Sequence, residues 1–296
     1  MAFSDKLRSG VVQHVKPLLS DEGWAKLRGL DPTSRTRDVD RMRVQRDEAR
    51  ARAVKAEAIN QAPDHTTRRT EASDAADLRS LAGKYRTDKW SHQHRYTPHY
   101  ARHIGYLRNE PFTLLEVGIG GYARELDGGA SLRMWKEFFP RATIVGLDIE
   151  DKKFVDEDRI ISYQGSQVDP SILDRILADH PDIRVIIDDG SHVNEHVVET
   201  FGLLFPRLHP QGHYVIEDTQ TAYWPRYGGS PDLLATHTSM ALGKRLADDI
   251  NFQEYTDADH EPTHDQANVV GVHFYHNLIF VDKGSNDEPR TSFPHN

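Results

Sequence analysis

Short apolar runs alternate with helical segments over most of this 296-residue chain, and this alternation constrains the fold more than any other feature. The runs are rich in β-branched residues, as buried strands are. Apolar strands that are joined by helices form a parallel sheet covered on both faces. The apolar runs are residues 112–117, 143–147, 160–163, 183–187, 213–216, 269–274 and 278–281, and the helical segments between them are 131–139, 170–180 and 194–204.

The last two apolar runs are separated by only Tyr275, His276 and Asn277. This connection is too short for the crossover that parallel neighbours need, so the two runs are expected to pair antiparallel as a hairpin. The sequence therefore predicts an α/β fold: a doubly wound, mostly parallel, seven-stranded sheet with a terminal antiparallel strand.

The first 75 residues differ in composition from the rest of the chain. Residues 36–60 are dominated by Arg, Asp, Glu and Ala and contain neither Gly nor Pro, which predicts a charged helix. That helix is either solvated against the body of the protein or used for contact between subunits. Residues 63–73 are polar and lack periodicity, as linkers do. We therefore predict a helical N-terminal segment and linker over 1–75 and an α/β domain over 76–296.

The composition argues against several classes of function. The chain has no cysteine, which excludes disulfides, zinc–thiolate sites and thiol nucleophiles. Its formal net charge of −9 argues against general nucleic-acid binding, which needs a basic surface. No apolar run approaches the roughly 18 residues of a membrane span, and residues 1–10 lack the apolar core of a signal peptide. We expect a cytoplasmic protein without a nucleic-acid or membrane partner.

A glycine loop, with Gly118 and Gly120, follows the first apolar run. Doubly wound folds bind ligands at this end of a strand, and glycine allows close approach to the backbone. The loop fits a degenerate dinucleotide fingerprint, but two features argue against NAD. Glu116 would repel a pyrophosphate and could instead accept hydrogen bonds from an ammonium group. No helix opens directly after the glycines, since the next one is expected to begin with Ser131 as its N-cap.

Four further residues are candidates for contact with a nucleoside. Asp148 and Ile149 end the second apolar run, where a carboxylate suits ribose hydroxyls in both NAD and S-adenosylmethionine proteins. Ser166 and Gln167 follow the third run, where polar groups could meet an adenine edge. These residues predict a bound nucleoside without deciding which cofactor carries it.

Two acidic strings follow the fourth and fifth apolar runs. They are Asp188-Asp-Gly-Ser-His192 and Glu217-Asp-Thr219. Neighbouring parallel strands end at the same edge of a sheet, so four carboxylates are expected to converge there. Like charges at close range cost stability unless they are neutralised. A hard divalent cation with oxygen ligands, such as Mg²⁺, Ca²⁺ or Mn²⁺, would provide the neutralisation.

Strand parity divides the first acidic string. Successive side chains of a strand point to opposite sides, so we assign Asp188 to the cofactor side and Asp189 to the metal. Glu217 and Asp218 lie where a chain can turn and supply both carboxylates to the same ion. His192 would share a face with Asp189 if the chain entered a helical turn, and its imidazole is a candidate general base.

Two other segments carry side chains that could bind a metal ion or a substrate. A histidine-rich stretch could form a second metal site, although a polar surface stretch is the favoured interpretation. An aromatic segment after Asp218 predicts a mobile lid over a glycoside, with a surface loop as the alternative. The histidines are His92, His94, His99 and His103, and the aromatic segment contains Tyr223, Trp224, Tyr227 and Gly228-Gly229.

Six motifs occur in a fixed order between about residues 80 and 285, and as an ordered set they are more specific than any one alone. They are Lys84-Tyr-Arg-Thr-Asp-Lys89 with His94 and Tyr96, Leu115-Glu-Val-Gly-Ile-Gly-Gly121, Gly129-Ala-Ser-Leu-Arg-Met-Trp135, Gly146-Leu-Asp-Ile149, Asp188-Asp-Gly-Ser-His192 and Glu217-Asp-Thr219. This set resembles the bacterial sugar O-methyltransferases of macrolide biosynthesis, the macrocin and mycinamicin type.

The resemblance implies a Rossmann-like class I methyltransferase fold, S-adenosyl-L-methionine as methyl donor, a bound Mg²⁺ and a small-molecule glycoside from antibiotic biosynthesis as substrate. It implies that Asp189, Glu217 and Asp218 bind the metal and that His192 is the catalytic base. A homo-oligomer is expected. Larger family members carry a more substantial N-terminal domain than the 75 residues here.

Three alternatives remain open from the residues. A catechol O-methyltransferase would use the same fold with a different diol. An NAD-linked oxidoreductase would explain the glycine loop and Asp148 but would give the acidic strings no role. A non-catalytic nucleoside- or metal-binding protein would use the same residues without chemistry.

Overall fold

A computed structural model describes residues 65–92, 94–122, 127–257 and 259–291 of the chain. The helices expected within residues 1–60 lie outside the described part. Among the described residues, no helix combines the length and the apolar character needed to cross a membrane.

One sheet of seven strands organises the described part. Its strands are β1 (Thr113–Val117), β2 (Thr143–Asp148), β3 (Ile160–Gln164), β4 (Ile183–Asp188), β5 (His213–Glu217), β6 (Val269–Tyr275) and β7 (Leu278–Lys283). The strand order is β3-β2-β1-β4-β5-β7-β6. β7 pairs antiparallel with both β5 and β6, and the other pairs are parallel. The predicted doubly wound sheet with a terminal antiparallel strand is therefore confirmed.

Helices cover both faces of the sheet because each strand has apolar side chains on both sides. Leu114 packs into the core on one face and its neighbour Leu115 into the core on the other, as strand alternation requires. The first face is covered by α1 (His65–Tyr85), α2 (Thr97–Ile104) and α3 (Ala130–Phe138). The second is covered by α4 (Pro170–Asp179), α5 (Asn194–Leu204) and α6 (Ser239–Asp249), and the short α7 (His264–Asn268) leads into β6.

The hairpin between β6 and β7 turns through His276 and Asn277. Asn277 has a φ of 62°, a left-handed conformation that Asn tolerates better than most residues. The tight turn makes β7 antiparallel and places it between β5 and β6. The antiparallel pairing expected from the short connection is confirmed.

The N-terminal boundary of the sheet domain differs from the expectation. The segment 63–73 was expected to be a linker, but the chain is helical from His65. Asp74, Leu78 and Ala82 repeat every four residues, and all three are buried, so a thin stripe of this polar helix packs on the body. Asp74 accepts from Arg108, and this ion pair allows a charged residue at one of the buried positions. The division at residue 75 stays a prediction and falls within this helix.

Helix α3 begins one residue earlier than expected. Its N-cap is Gly129, with a φ of 73° and no side-chain cap, so the prediction of Ser131 as N-cap was wrong. A side chain at Gly129 would meet Val155 Cγ1 at 2.9 Å. Glycine is therefore required by both the conformation and the packing, and a capping hydroxyl is excluded.

Lys283, the last residue of β7, connects this strand to the end of α5. Its Nζ donates to the carbonyl oxygens of Phe205, Pro206 and Leu208 at 2.8, 2.8 and 2.9 Å. Carbonyls at the end of a helix lack intrahelical partners, and a buried cation satisfies them.

We predict that Lys283→Met lowers the free energy of unfolding by about 2 kcal/mol, since hydrogen bonds to a charged group contribute roughly 1.5–3 kcal/mol each and the carbonyls stay buried. Urea denaturation followed by circular dichroism measures the change. Lys153→Met is the matched control, because Lys153 is 69% exposed and surface changes stay within about 0.5 kcal/mol. Equal losses in the two variants would contradict the role of Lys283.

Candidate functional site

The carboxyl ends of β1 to β4 open on one cleft. Five residues expected to contact a cofactor line it: Gly118, Asp148, Ile149, Ser166 and Gln167. The other lining residues are Val117, Tyr122, Leu147, Gly165, Gly190, Ser191 and His196. The cleft lies where doubly wound folds bind their ligands.

Of the two predicted glycines in the loop, Gly118 lines the cleft and Gly120 does not, and their surroundings differ. Gly118 has a φ of 92°, and a Cβ there would lie 2.1 Å from the carbonyl oxygen of Asp189, so the ends of β1 and β4 meet only because position 118 lacks a side chain. Gly120 has a φ of 71°, and a Cβ there would have no atom within 4 Å. The backbone at Gly120 is therefore open to a ligand.

Asp148 holds the glycine loop and also receives a hydroxyl. Its Oδ2 atom accepts from the backbone N–H of Ile119 at 2.8 Å and from the Tyr122 hydroxyl at 3.0 Å, and its Oδ1 atom accepts from the N–H of Glu150 at 2.9 Å. Tyr122 is 61% exposed, so its hydroxyl reaches Asp148 from the solvent side. The carboxylate is thus accessible to a hydroxyl donor. The sequence reasoning did not single out Tyr122.

Asp188 faces away from the acidic cluster. It accepts from Gln167 Nε2 at 3.2 Å, next to the cleft, and burial raises its pKa to about 7. The Oε1 atom of Gln167 in turn accepts from the N–H of Ser191 at 2.8 Å. Gln167 is therefore fixed by the last residue of β4 and by the loop after it. Asp189, the next residue after Asp188, points instead to the acidic cluster and contacts Lys89.

Lys89 is the centre of the acidic cluster. Its ammonium is completely buried and lies 3.0 Å from Glu116 Oε1, 3.0 Å from Asp189 Oδ2 and 2.8 Å from Glu217 Oε1. Burial alone would lower the pKa of Lys89, but the carboxylates hold it well above its usual range. The sequence analysis names Lys89 only as the last residue of a motif and assigns it no contact. The sequence around Lys89 does not indicate that its side chain contacts residues at the ends of three strands.

Glu116 is enclosed by groups of the chain itself. It is fully buried, Trp135 Nε1 donates to its Oε2 atom at 2.9 Å, and Lys89 lies at its Oε1 atom. Burial raises its pKa, which Lys89 and a hydrogen bond from Ser131 oppose. The ammonium group that Glu116 was expected to meet is therefore provided by Lys89. Glu116 does not line the cleft.

Glu217 and Asp189 lie side by side on Lys89. The Tyr100 hydroxyl also donates to Oε1 of Glu217. Burial raises the pKa of Glu217 well above its usual range, and the charge of Asp189 adds to the effect. Burial likewise raises the pKa of Asp189, against the lowering effect of Lys89. The raised pKa values show that one lysine does not fully compensate the negative charge that these two groups would carry when ionised.

Asp218 and His192 complete the cluster at its exposed side. His192 Nε2 lies 3.7 Å from Asp218 Oδ2, and the Tyr96 hydroxyl donates to Asp218 Oδ1 at 2.8 Å. His94 Nδ1 lies 3.5 Å from the same Oδ1 atom. His94 was expected in a polar surface stretch, and that interpretation was wrong for it, since it reaches the acidic cluster.

Both His192 and Asp218 have left-handed backbone conformations, with φ of 57° and 54°. Non-glycine residues in this region are uncommon and cluster at functional sites. His192 was expected to share a face with Asp189 through a helical turn, and that reason was wrong: α5 begins only at Asn194. The left-handed residue itself turns the imidazole back toward the acids.

The donor atoms fit a divalent cation. One ligand atom each from Asp189, His192 and Asp218 lie within 4.8 Å of one another. Glu217 is not in this set, because it is drawn to Lys89 and Tyr100. The carboxylate oxygens of Asp189 and Asp218 suit Mg²⁺ or Mn²⁺, which prefer oxygen ligands, and negative charge that Lys89 only partly compensates favours a cation.

We predict that Lys89→Met lowers the free energy of unfolding by about 3–5 kcal/mol, because removing one partner of a buried ion pair leaves uncompensated charge. Urea denaturation measures the loss. Lys84→Met is the matched control, since Lys84 pairs with Glu137 at the surface and its loss should change stability little. A Lys89→Met protein as stable as wild type would contradict the central role of this ammonium.

Comparison with known proteins relates the chain to a group of curated enzymes. It is 50% identical over 214 residues to mycinamicin VI 2''-O-methyltransferase of Micromonospora griseorubida and 49% identical over 214 residues to demethylmacrocin O-methyltransferase of Streptomyces fradiae; each match covers 72% of this chain and 54% of the relative. A tetracenomycin-C 3'-O-methyltransferase of Streptomyces olivaceus is 43% identical over 227 residues, 76% of this chain and 58% of that protein. The chain spans about half the length of these relatives. No family model matches it.

Solved structures also relate the chain to methyltransferases of this group. MycE methyltransferase from the mycinamycin biosynthetic pathway, in complex with Mg and SAH, superimposes with a TM-score of 0.70 at 49% identity, over 72% of this chain and 56% of that one. The complex of MycE with Mg, SAH and mycinamycin VI gives a TM-score of 0.69 over 72% and 55%.

Proposed function

This chain is related to the sugar O-methyltransferases of the macrocin and mycinamicin type, and we propose that it transfers a methyl group from S-adenosyl-L-methionine to a sugar hydroxyl of a glycosylated natural product. The observation that carries the proposal is the placement of Asp189, His192 and Asp218 within 4.8 Å of one another, beside a cleft lined by the glycine loop and Asp148. An acidic site next to a nucleoside site is what a metal-dependent transfer from S-adenosylmethionine requires.

Different groups in the cleft would contact different parts of the cofactor. Asp148 would accept the ribose hydroxyls, because it already accepts the hydroxyl of Tyr122 from the solvent side. The open backbone at Gly120 admits a ligand, and Gln167, held between Asp188 and Ser191, presents a fixed amide. We further propose that Gly118, Ile149 and Ser166 line the bound cofactor, and that Glu116 and Ser131 support it through the Lys89 cluster.

Asp189 and Asp218 would hold the divalent cation, with Mg²⁺ as the proposed ion. When bound, such an ion lowers the pKa of a hydroxyl that it coordinates. Glu217 would also bind the cation. Lys89 and Tyr100 contact its Oε1 atom, and its second carboxylate oxygen, Oε2, would be the ligand.

His192 would remove the proton of the acceptor hydroxyl. Its side chain is 25% exposed and lies at the open side of the cluster, within 3.7 Å of Asp218. The negative charge of Asp218 would stabilise the imidazolium once the proton is taken. Tyr96 and His94 hold Asp218 from the other side, which fixes the pair.

The aromatic segment after Asp218 would face the acceptor. Tyr223 and Trp224 are 40% and 41% exposed, and Arg226 lies 5.1 Å from the Trp224 ring centroid. Asn194 Nδ2 donates to the carbonyls of Thr221 and Tyr227 at 3.0 Å, which ties the segment to α5. Exposed aromatic faces beside a diol-binding site suit a sugar ring, and the lid movement stays a prediction.

Three expectations about the whole protein remain proposals. We propose a cytoplasmic homo-oligomer with a helical N-terminal segment over residues 1–75 and a methyltransferase domain over 76–296. Light scattering after gel filtration tests the oligomeric state.

We predict that His192→Ala lowers turnover about 100-fold or more, the usual size of a general-base effect, while binding of S-adenosylhomocysteine is kept. Methyl transfer to a panel of glycosylated macrolides and to catechols measures turnover and also separates the two acceptor classes. His264→Ala is the control, since this histidine is 43% exposed and lies outside the cleft. Near-normal turnover in His192→Ala would remove the proposed base.

We predict that chelation abolishes methyl transfer and that Mg²⁺ restores it, because the cation neutralises carboxylates which Lys89 alone does not balance. Activity is measured after dialysis against EDTA and again after Mg²⁺ is added. Asp218→Asn should raise the Mg²⁺ concentration needed for half-maximal activity. Full activity in the presence of chelator would exclude the metal from the reaction.

A further inference from the structure

A second cluster of metal-ligating side chains lies at the other end of the sheet from the acidic site. His213 begins β5 and Glu217 ends it, which separates the two groups by about 13 Å at ~3.3 Å per residue. The cluster draws His213 from β5, His273 from β6, Asp282 from β7 and His103 from α2. None of these residues has a part in the proposed methyl transfer.

Asp282 is the centre of this cluster. Its Oδ1 atom lies 2.7 Å from His213 Nδ1 and its Oδ2 atom lies 2.9 Å from His273 Nε2. One ligand atom each from His103, His273 and Asp282 lie within 4.8 Å of one another. Two imidazoles and a carboxylate on three different elements thus converge on one point.

We propose that His103, His273 and Asp282 bind a divalent transition-metal ion, with Zn²⁺ as the first candidate, and that His213 orients Asp282 from outside the ligand set. Imidazole nitrogens with one carboxylate oxygen suit Zn²⁺ and its neighbours in the first row, whereas Mg²⁺ prefers oxygen alone. A partner that fixes a ligating side chain from behind is a regular part of such sites.

The pKa values of the three proposed ligands are shifted in different directions by burial and by their contacts. Burial lowers the pKa of His103 to about 4, so its ring is neutral near pH 7 and its nitrogen can bind a metal. Burial alone would raise the pKa of Asp282, but the hydrogen bonds with His213 and His273 hold it below its usual range. The hydrogen bond with Asp282 raises the pKa of His273, so a metal ion would have to displace the proton held between these two side chains.

The surroundings leave room for an ion and limit opposing charge. Gly271 pairs with Asp282 across the strands, and a Cβ there would lie 3.0 Å from Asp282 Oδ2 and 3.1 Å from His273 Nε2. The absent side chain keeps the ligand atoms open. Arg102 carries the neighbouring positive charge, but it is 58% exposed and paired with Glu71 at 3.1 Å, which weakens its repulsion of a cation.

His103 connects the proposed metal site to helix α2. The ring stacks on Phe280, with centroids 4.3 Å apart, and its Nε2 atom lies 2.9 Å from the Tyr275 hydroxyl. His103 was expected on a polar surface, which was wrong, since it is 9% exposed. A metal at this point would fasten α2 to β6 and β7. The same helix carries Tyr100, which donates to Glu217 in the acidic site.

The test is Zn²⁺ titration of the metal-stripped full chain by calorimetry, in excess Mg²⁺ so that the acidic site is filled. We expect one equivalent of Zn²⁺ to bind wild type and the His276→Gln control, whose histidine is exposed on the β6–β7 turn. His273→Gln should lose this equivalent. A variant of His213, His213→Asn, should bind it about 10–100-fold more weakly, as changes behind a ligand do.

Co²⁺ provides an independent reading of the ligands, because its visible absorption reports nitrogen coordination. The absorption should be present in Asp218→Asn and absent in His273→Gln and His103→Gln, with folding checked by circular dichroism. Equal Zn²⁺ binding by wild type and both histidine variants would overturn the proposal. Binding that disappears only in Asp218→Asn would assign the ion to the acidic site and overturn it as well. The proposal does not depend on methyl transfer, and neither reading measures activity.

Discussion

The buried ammonium of Lys89 is the interaction on which the arrangement at the strand ends depends. It contacts carboxylates at the ends of β1 and β5 and just after β4, three positions that the sheet necessarily brings together. Without a cation these carboxylates would repel one another in a site that excludes water. One fixed positive charge lets Glu116 and Glu217 be buried, whereas Asp189 and Asp218 are more exposed. The cluster thus has a buried half around Lys89 and a half that is open to solvent.

The sheet and the position of the acids could be predicted because both follow from local pattern. Runs of β-branched residues have only one arrangement that buries both faces, and the three-residue gap before Leu278 allowed only a hairpin. Strand alternation separates Asp188 from Asp189, and the structure has them contacting Gln167 and Lys89 respectively. The neighbouring positions of β4 and β5 then follow from the order of a doubly wound sheet.

The remaining parts of the site depend on contacts between residues far apart in sequence, which no local pattern encodes. Lys89 and Glu217 are separated by 128 positions, and neither residue's neighbours indicate the pair. The hydroxyl of Tyr122 reaches Asp148 from a loop with no regular structure. His192 was placed correctly beside the acids for an incorrect reason, since a left-handed residue replaces the expected helical turn. The buried positions Asp74, Leu78 and Ala82 of α1 lie after the segment 63–73, and only the distant partner Arg108 explains the buried charge of Asp74.

The backbone conformations of His192 and Asp218 restrict how this site can change during evolution. A left-handed position accepts Asn, Asp, His or Gly at low cost and penalises β-branched residues. Substitutions that the backbone tolerates at these two positions are therefore mostly polar and close in shape to the present ones. A descendant that lost the chemistry would still keep a polar, ligand-like surface there.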